Sequence, residues 1–181
     1  MKIPVCVENR INEYCDKIKK HSPKLAELYK NCYPNTLETA TEILDDGKVF
    51  VLTGDIPAMW LRDSTAEVSH YIPLASDNHS IRSIISGVIR KQREYILKEP
   101  YANAYKKEEN DHEEFQDFPK NHPIVWERKY EIDALCYPLR LTYLYWKATG
   151  DVSVLDQSFL ESAKTTVDLW ITEQHHFEKS P

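Results

Sequence analysis

Glycine is scarce in this chain, and the scarcity limits the folds open to it. Only 4 of the 181 residues are glycine, against a usual frequency of ~7%. Glycine-rich loops that cradle phosphates cannot be built from this supply, which argues against nucleotide-binding folds. The same scarcity is compatible with a mainly helical protein.

The spacing of apolar residues predicts about six helices. Ser22 and Pro23 form an N-cap with proline at the first helical position, and Pro34 should kink or divide the segment that follows. A capping box over residues 64–67 predicts a further helix start, with Glu67 as the capping partner. The predicted apolar stripes are Leu25, Leu28, Tyr29 and Cys32; Ile81, Ile84, Ile85, Val88, Ile89 and Ile96; Ile132, Leu135, Leu139 and Tyr143; and Leu160, Ala163, Val167, Trp170 and Ile171.

Two segments depart from this helical pattern. Residues 48–53 predict one short β element, and residues 99–126 carry many charges without sustained periodicity. A connection as long as the second segment is either functional or disordered. We therefore expect an all-α fold with one short β element, in a single domain over residues 1–181.

Charge and hydropathy exclude several classes of partner. The net charge is −6, and without a basic stripe we expect no nucleic acid partner. Apolar runs are too short to span a membrane, and the absence of a secretory signal predicts a cytoplasmic protein. The four cysteines lack metal or redox spacing, so we expect reduced, mostly buried thiols. Histidine spacing predicts no metal site, and no cofactor is expected.

The run over residues 53–64 concentrates chemistry that a sugar would need. Trp60 can cover the apolar face of a monosaccharide, while Arg62 and Asp63 can bind its hydroxyl groups. Gly54 and Pro57 would shape the loop that presents them, and the same loop carries Asp55. The alternative is structural: Arg62 and Asp63 pair to support a helix start while Trp60 fills the core.

A second run of similar composition follows the long polar segment. Trp126, Glu127 and Arg128 repeat the combination of tryptophan, carboxylate and guanidinium. Glu127 is a weak candidate for a catalytic carboxylate, because Trp126 could desolvate it and raise its pKa. Asp133 could equally cap the next helix, and Glu131 is expected only to face solvent.

Three segments, TGDIPAMWLRDST, PYANAY and WERKYEIDALCYPLRL, resemble glycoside hydrolase family 125, the exo-α-1,6-mannosidases. The resemblance runs from the Leu25 helix to the end of the chain. It implies an (α/α)6 toroid and metal-independent, inverting removal of terminal α-1,6-linked mannose, with a mannose-containing oligosaccharide as partner. It also implies that the substrate-binding residues are Asp55, Trp60, Arg62, Asp63, Asn103, Trp126, Glu127 and Arg128.

The resemblance also implies a deficit in the catalytic machinery. Its family members are about twice this length or more, and their acid and base carboxylates lie in the part that would follow Pro181. Inversion needs two carboxyls roughly 6.5–9.5 Å apart. We therefore expect the N-terminal half of a toroid, a partial domain that binds sugar without hydrolysing it and self-associates through exposed helix faces. The alternatives are a truncated non-catalytic carbohydrate-binding protein and a helical interaction protein.

Overall fold

The computed structural model describes residues 1–109 and 122–181, and within these ranges the chain is mainly helical. The α-helices are α1 (Val5–Lys19), α2 (Pro23–Cys32), α3 (Leu61–Ser69), α4 (Ile72–Ala75), α5 (His79–Lys98), α6 (Ile132–Thr149), α7 (Gln157–Glu173) and α8 (His176–Lys179). A π-helix, Thr36–Ala40, and a 3₁₀-helix, Val152–Val154, complete the helical elements of these ranges. The prediction of a mainly helical protein is confirmed, whereas the half toroid stays a prediction.

The prediction of one short β element is wrong. The segment over residues 48–53 does contain a strand, β2 (Val49–Val51), but it pairs antiparallel with β1 (Thr41–Ile43). A second antiparallel sheet has the order β3 (Met59–Trp60), β4 (Ala104–Tyr105) and β5 (Val125–Glu127). β4 and β5 lie at the ends of the segment predicted to be irregular, whose middle, residues 110–121, is outside the described residues.

The first half of the chain follows its local signals at the helix ends but not on the helix faces. Ser22 caps α2 by accepting a hydrogen bond from the Leu25 N–H at 3.3 Å. The segment divides around Pro34, as predicted, into α2 and the π-helix. The predicted apolar stripe is not the buried face of α2, since Leu25 and Leu28 are 55% and 50% exposed while the small Ala26 is buried.

The long helix α5 forms the centre of the fold, as its apolar stripe predicts. Its stripe residues are buried, and the helix packs against α3, α4, α6, α7 and β2. Asn78 caps its start by accepting a hydrogen bond from the Ile81 N–H at 3.2 Å. Three consecutive polar residues of α5 are also buried, namely Lys91, Gln92 and Arg93. Polar contacts as well as apolar packing therefore fix the elements around α5.

Helices α6 and α7 exist where predicted, but their predicted apolar faces largely point outwards. Gly150 ends α6 in a left-handed conformation with a φ of 67°. Tyr143 is 55% exposed, and Leu160, Val167 and Ile171 are 61%, 46% and 53% exposed. The buried side of α6 is carried by other residues, among them Ala134, Leu135, Leu141 and Tyr145. α6 is therefore apolar on two sides.

Two further expectations concern the thiols and the membrane. All four cysteines are unbridged, but Cys32 and Cys136 are exposed and Cys6 and Cys15 are only partly buried. The prediction of mostly buried thiols is therefore wrong, because Cys32 and Cys136 lie on outward faces of α2 and α6, while Cys6 and Cys15 on α1 pack only partly against the core. Among the described residues, no helix is both long and apolar enough to cross a membrane.

Candidate functional site

The loop before α3 is closed by a single buried threonine. The Thr53 N–H and hydroxyl both donate to the Ala58 carbonyl at 3.0 Å. The same hydroxyl accepts from the Trp60 N–H at 3.1 Å. Gly54 turns the chain with a φ of 72°, a conformation that other residues adopt only with strain. Thr53 and Gly54 thereby set the position of Trp60.

The start of α3 differs from the predicted capping box. α3 begins at Leu61, three residues before the predicted start, and its N-cap residue, Trp60, makes no side-chain capping bond. The Leu61 N–H instead donates to the Asn103 carbonyl at 3.1 Å, which satisfies one of the amide groups left open at a helix start. Ser64 is fully buried inside the helix, where its hydroxyl donates to the Leu61 carbonyl.

The three-stranded sheet brings the two tryptophans together. Trp60 on β3 pairs in register with Ala104 on β4, and Ala104 pairs with Glu127 on β5. Trp60, Ala58, Ala104 and Trp126 form a small apolar group, here called the tryptophan cluster, separate from the main core. Trp126 is 6% exposed, whereas Trp60 is only half-buried. Trp60 therefore leaves part of its ring available to a ligand.

Arg62 joins the two motifs that the sequence singled out. Its Nη1 donates to Asp133 Oδ2 at 3.0 Å and lies 3.7 Å from Glu131 Oε2, while Nη2 lies 3.4 Å from Asp63 Oδ2. We call these four residues the Arg62 cluster. The hydrogen bond from Arg62 lowers the pKa of Asp133, so both partners are charged over the physiological range.

The Arg62 cluster also corrects two assignments. Asp133 lies in the first turn of α6 and binds Arg62, and Glu131 is the N-cap residue of that helix without a side-chain capping bond. Asp63 and Asp133 are 41% and 46% exposed. Both carboxylates can therefore accept hydrogen bonds from an incoming ligand while Arg62 holds them in place.

Glu127 is held by two donors beside the tryptophan cluster. Asn103 Nδ2 donates to Glu127 Oε2 at 2.8 Å, and Lys129 Nζ lies 2.7 Å from Oε1. Asn103 is 1% exposed, and its own Oδ1 accepts from the Lys129 N–H at 3.2 Å. These contacts make Asn103 an orienting residue for Glu127.

The two remaining predicted residues lie at the edges of this site. Asp55 is exposed at the tip of the loop between Thr53 and Ala58. Arg128 lies with its Nε 3.7 Å from Glu99 Oε1 and its guanidinium 5.0 Å from the centre of the Tyr101 ring. The structure thus brings Trp60, Arg62 and Asp63 together with the second motif, while Arg128 contacts a neighbouring aromatic group.

Three nearby groups were missed or misassigned from the sequence. The sequence pattern indicates a capping role for Asp133 and for Glu67, and it gives no signal for Gln92. Glu67 is half-buried on α3, and burial with the neighbouring Asp63 charge raises its pKa to about 6. Only Asp133 carried a usable signal, because it lies in the second motif. Within residues 1–109 and 122–181, no His, Cys, Asp and Glu group suited to a metal ion is present.

Two tryptophans beside a guanidinium and exposed carboxylates on a mainly helical scaffold are groups that can bind the apolar face and the hydroxyl groups of a carbohydrate. The chain belongs to the glycoside hydrolase family described as metal-independent alpha-mannosidase (GH125), whose family model matches residues 22–180. The tryptophan cluster, the Arg62 cluster and every described helix except α1 lie within this match.

Two relatives extend the comparison. The meiotically up-regulated gene 157 protein of Schizosaccharomyces pombe is 33% identical over 175 residues, covering 90% of this chain and 34% of that protein. A Streptococcus pneumoniae structure, described as a metal-independent alpha mannosidase in a non-productive substrate complex with alpha-1,6-mannobiose, is 41% identical with a TM-score of 0.88. It covers 99% of this chain, which spans 42% of its length.

Proposed function

We propose that this chain is the mannose-binding part of an exo-acting mannosidase that removes terminal α-1,6-linked mannose from glycans by inversion, without a metal. The observation that carries the proposal is the Arg62 cluster, in which one guanidinium from α3 orients carboxylates from both motifs beside Trp60. Membership of the mannosidase family supports the substrate class. The linkage is supported by the mannobiose complex of the pneumococcal structure.

The contacts suggest how a terminal mannose would be bound. The exposed part of Trp60 would cover the apolar face of the ring, with the buried Trp126 supporting it from the same cluster. Arg62 and Asp63 would bind vicinal hydroxyl groups through charge-assisted hydrogen bonds. Asp133 joins this group as a third polar contact because Arg62 already orients it.

The other proposed contacts surround this centre. Glu127, oriented by Asn103, would accept a hydrogen bond from a further hydroxyl group. Asp55 and Arg128 would contact the sugar from the outer loop and from the Tyr101 side. We place the catalytic acid and base outside this chain, in the part of the family's length that it does not cover, so the chain alone would bind mannose without hydrolysing the glycosidic bond.

Calorimetry with α-1,6-mannobiose tests this proposal directly. We expect a binding isotherm that is unchanged by excess EDTA and absent with maltose, a glucose disaccharide of different stereochemistry. Absence of heat with mannobiose at high sugar concentration would overturn the proposed function, and loss of binding with EDTA would overturn its metal independence.

Replacing Arg62 with alanine should weaken sugar binding without unfolding the protein. Hydrogen bonds to charged groups contribute about 1.5–3 kcal/mol each, so we expect roughly ten- to hundredfold weaker affinity for mannobiose. The guanidinium is 38% exposed, and exposed ion pairs stabilise proteins by only about 1 kcal/mol or less. Calorimetry gives the affinity, and thermal unfolding gives the stability.

Arg140→Ala provides the matched control, because Arg140 is exposed on α6 beyond the Arg62 cluster and its loss changes the net charge equally. We expect normal sugar affinity from this variant. If Arg62→Ala unfolds the chain while the control does not, the guanidinium has the structural role that the sequence left open.

A further inference from the structure

Gln92 makes an unusual contact between the central helix and the site. The side chain is fully buried on α5. Its Nε2 lies 3.1 Å from the Leu61 carbonyl and 2.9 Å from each of the Ser64 and Thr65 hydroxyl oxygens. All three acceptors belong to the first turns of α3. That segment also contains Arg62 and Asp63, the residues proposed to bind the sugar.

The first peptide of α3 is therefore held from two directions. The Leu61 N–H donates to the Asn103 carbonyl at 3.1 Å, and the Leu61 carbonyl accepts from Gln92. Asn103 in turn binds Glu127. A rotation or shift of α3 about its axis would break at least one of these bonds, so the orientation of the segment that follows Leu61 is closely determined.

Packing requirements alone do not account for an amide at this position. The Gln92 amide nitrogen carries two hydrogens but lies within hydrogen-bond distance of three oxygens. Its two N–H groups are therefore shared among three acceptors on α3. Gln92 Oε1 is buried without a hydrogen-bond partner among the described residues, which is an unfavourable arrangement. A methionine of similar shape would fill the space and remove the unsatisfied Oε1, but it would also remove the hydrogen bonds to the buried Ser64 and Thr65 hydroxyl oxygens, so the amide serves to bind the first turns of α3.

We infer that Gln92 is a positioning residue for the proposed mannose site, acting through the first turn of α3 on Arg62. The inference rests on the proposed function. The bond between Arg62 and Asp133 spans two helices at 3.0 Å, and hydrogen bonds weaken steeply when the donor and acceptor move apart or out of line. A small displacement of α3 would therefore disrupt the Arg62 cluster and the hydroxyl contacts that it offers.

The inference gives Ser64 and Thr65 a role in the first motif. Both side chains are fully buried and cannot touch a sugar. As hydrogen-bond partners of Gln92, they connect the Arg62–Asp63 pair to α5. The run over residues 62–65 then combines two ligand contacts with two residues that fix their position.

The test uses Gln92→Met, which keeps the volume and removes the hydrogen bonds. We expect roughly tenfold or greater loss of affinity for α-1,6-mannobiose, because misplacement of a binding group by about 1 Å has effects of that order or larger. Tyr145→Phe is the control: it removes a buried hydroxyl that donates to Asp151 Oδ2 at 2.6 Å, near the opposite end of α6 from Asp133. This control should lower the thermal midpoint but leave affinity unchanged.

Two further variants separate positioning from stability. In an Arg62→Lys background, Gln92→Met should add little further loss, because the residue through which it acts is already altered. In Gln92→Glu, a carboxyl protonated at acidic pH can again donate a hydrogen bond, so mannobiose affinity should recover as the pH falls. This variant also serves if Gln92→Met does not fold.

A measurement without sugar distinguishes failure of this inference from failure of the proposed function. The side-chain ¹⁵N signals of Arg62 report its bond with Asp133, and we expect them to change in Gln92→Met but not in Tyr145→Phe. If wild-type protein binds no mannobiose, the proposed function fails while these signals still test positioning. Unchanged Arg62 signals, or equal sugar affinity in wild type and Gln92→Met, would overturn the inference.

Discussion

At the scale of single residues, Glu67 is a carboxylate whose environment disfavours its charge. It follows Asp63 by one helical turn and is half-buried, and these two causes raise its pKa from 4.5 to about 6. The folded state therefore binds the proton more tightly than the unfolded chain. The associated stability is present below about pH 4.5 and is lost as the pH rises through about 6.

Replacing Glu67 with glutamine should stabilise the protein at neutral pH. The full pKa shift corresponds to ~2 kcal/mol, and solvent screening at a half-buried site reduces the expected gain to about 1 kcal/mol. Denaturant unfolding at several pH values measures this difference, which should shrink towards zero below pH 4.5. Glu27→Gln, at an exposed position on α2, is the control, and an equal gain there would contradict our explanation.

Residue chemistry was the part of the site that the sequence could predict best. Trp60, Arg62 and Asp63 lie within four positions, and any helix start there would bring them close together. The partner of Arg62 was not predictable with the same certainty, since Asp133 is 71 residues away. Asp133 also matched a simpler role as a cap, and only the packing of α3 on α6 decides between the two.

At the scale of elements, α5 approaches the β1–β2 hairpin closely where the two cross at Gly87. A Cβ atom at Gly87 would lie 2.5 Å from Val49 Cγ2 and 2.9 Å from the Gly47 carbonyl oxygen. Alanine normally stabilises a helix relative to glycine by about 1 kcal/mol. Here the contact with a backbone oxygen reverses the sign, because the hairpin cannot yield by rotating a side chain.

Gly87→Ala should therefore destabilise the protein by about 1–3 kcal/mol, the usual range for overpacking. Chemical denaturation gives the free energy of unfolding. Ser83→Ala, on the exposed face of the same helix, should be neutral or slightly stabilising. A gain in stability from Gly87→Ala would show that α5 and the hairpin separate more easily than their distances indicate.

Helix positions could be predicted from the sequence more reliably than helix starts and faces. The pattern at residues 64–67 matches a capping box, yet α3 starts earlier because Asn103, far away in the chain, satisfies the Leu61 N–H. The small strands β4 and β5 escaped prediction because two or three residues give no periodic signal. Local patterns describe a segment alone, whereas both of these features depend on contacts between distant segments.

At the scale of the whole molecule, the outward faces of α6 and α7 are unusually apolar. Ile132 and Tyr143 on α6, and Leu160, Val167 and Ile171 on α7, are each more than two-fifths exposed. Apolar residues on both sides of a helix are typical of helices buried on both sides. For α6 this is why the sequence did not indicate which face meets the core, whereas the buried side of α7 carries the small polar Ser162 and Thr166 beside Leu169.

We expect the chain to self-associate through these faces, because contiguous apolar surface in water promotes association. Sedimentation should show a molecular mass above that of the monomer that falls on dilution. Replacing both Val167 and Ile171 with lysine should shift the population to monomer. Val5→Lys, at an exposed apolar position on α1, should have little effect. A wild-type monomer at all soluble concentrations would contradict the expectation.

The separation of the tryptophan cluster from the main core has a consequence for how sugar preference can change over evolution. Trp60, Trp126, Ala58 and Ala104 share no members with the large core around α5. In the proposed mannose site, substitutions among them would alter the shape offered to a sugar without replacing a member of the large core. Descendants of one ancestral scaffold could therefore diversify their glycan preference through these few positions without first acquiring compensating changes elsewhere.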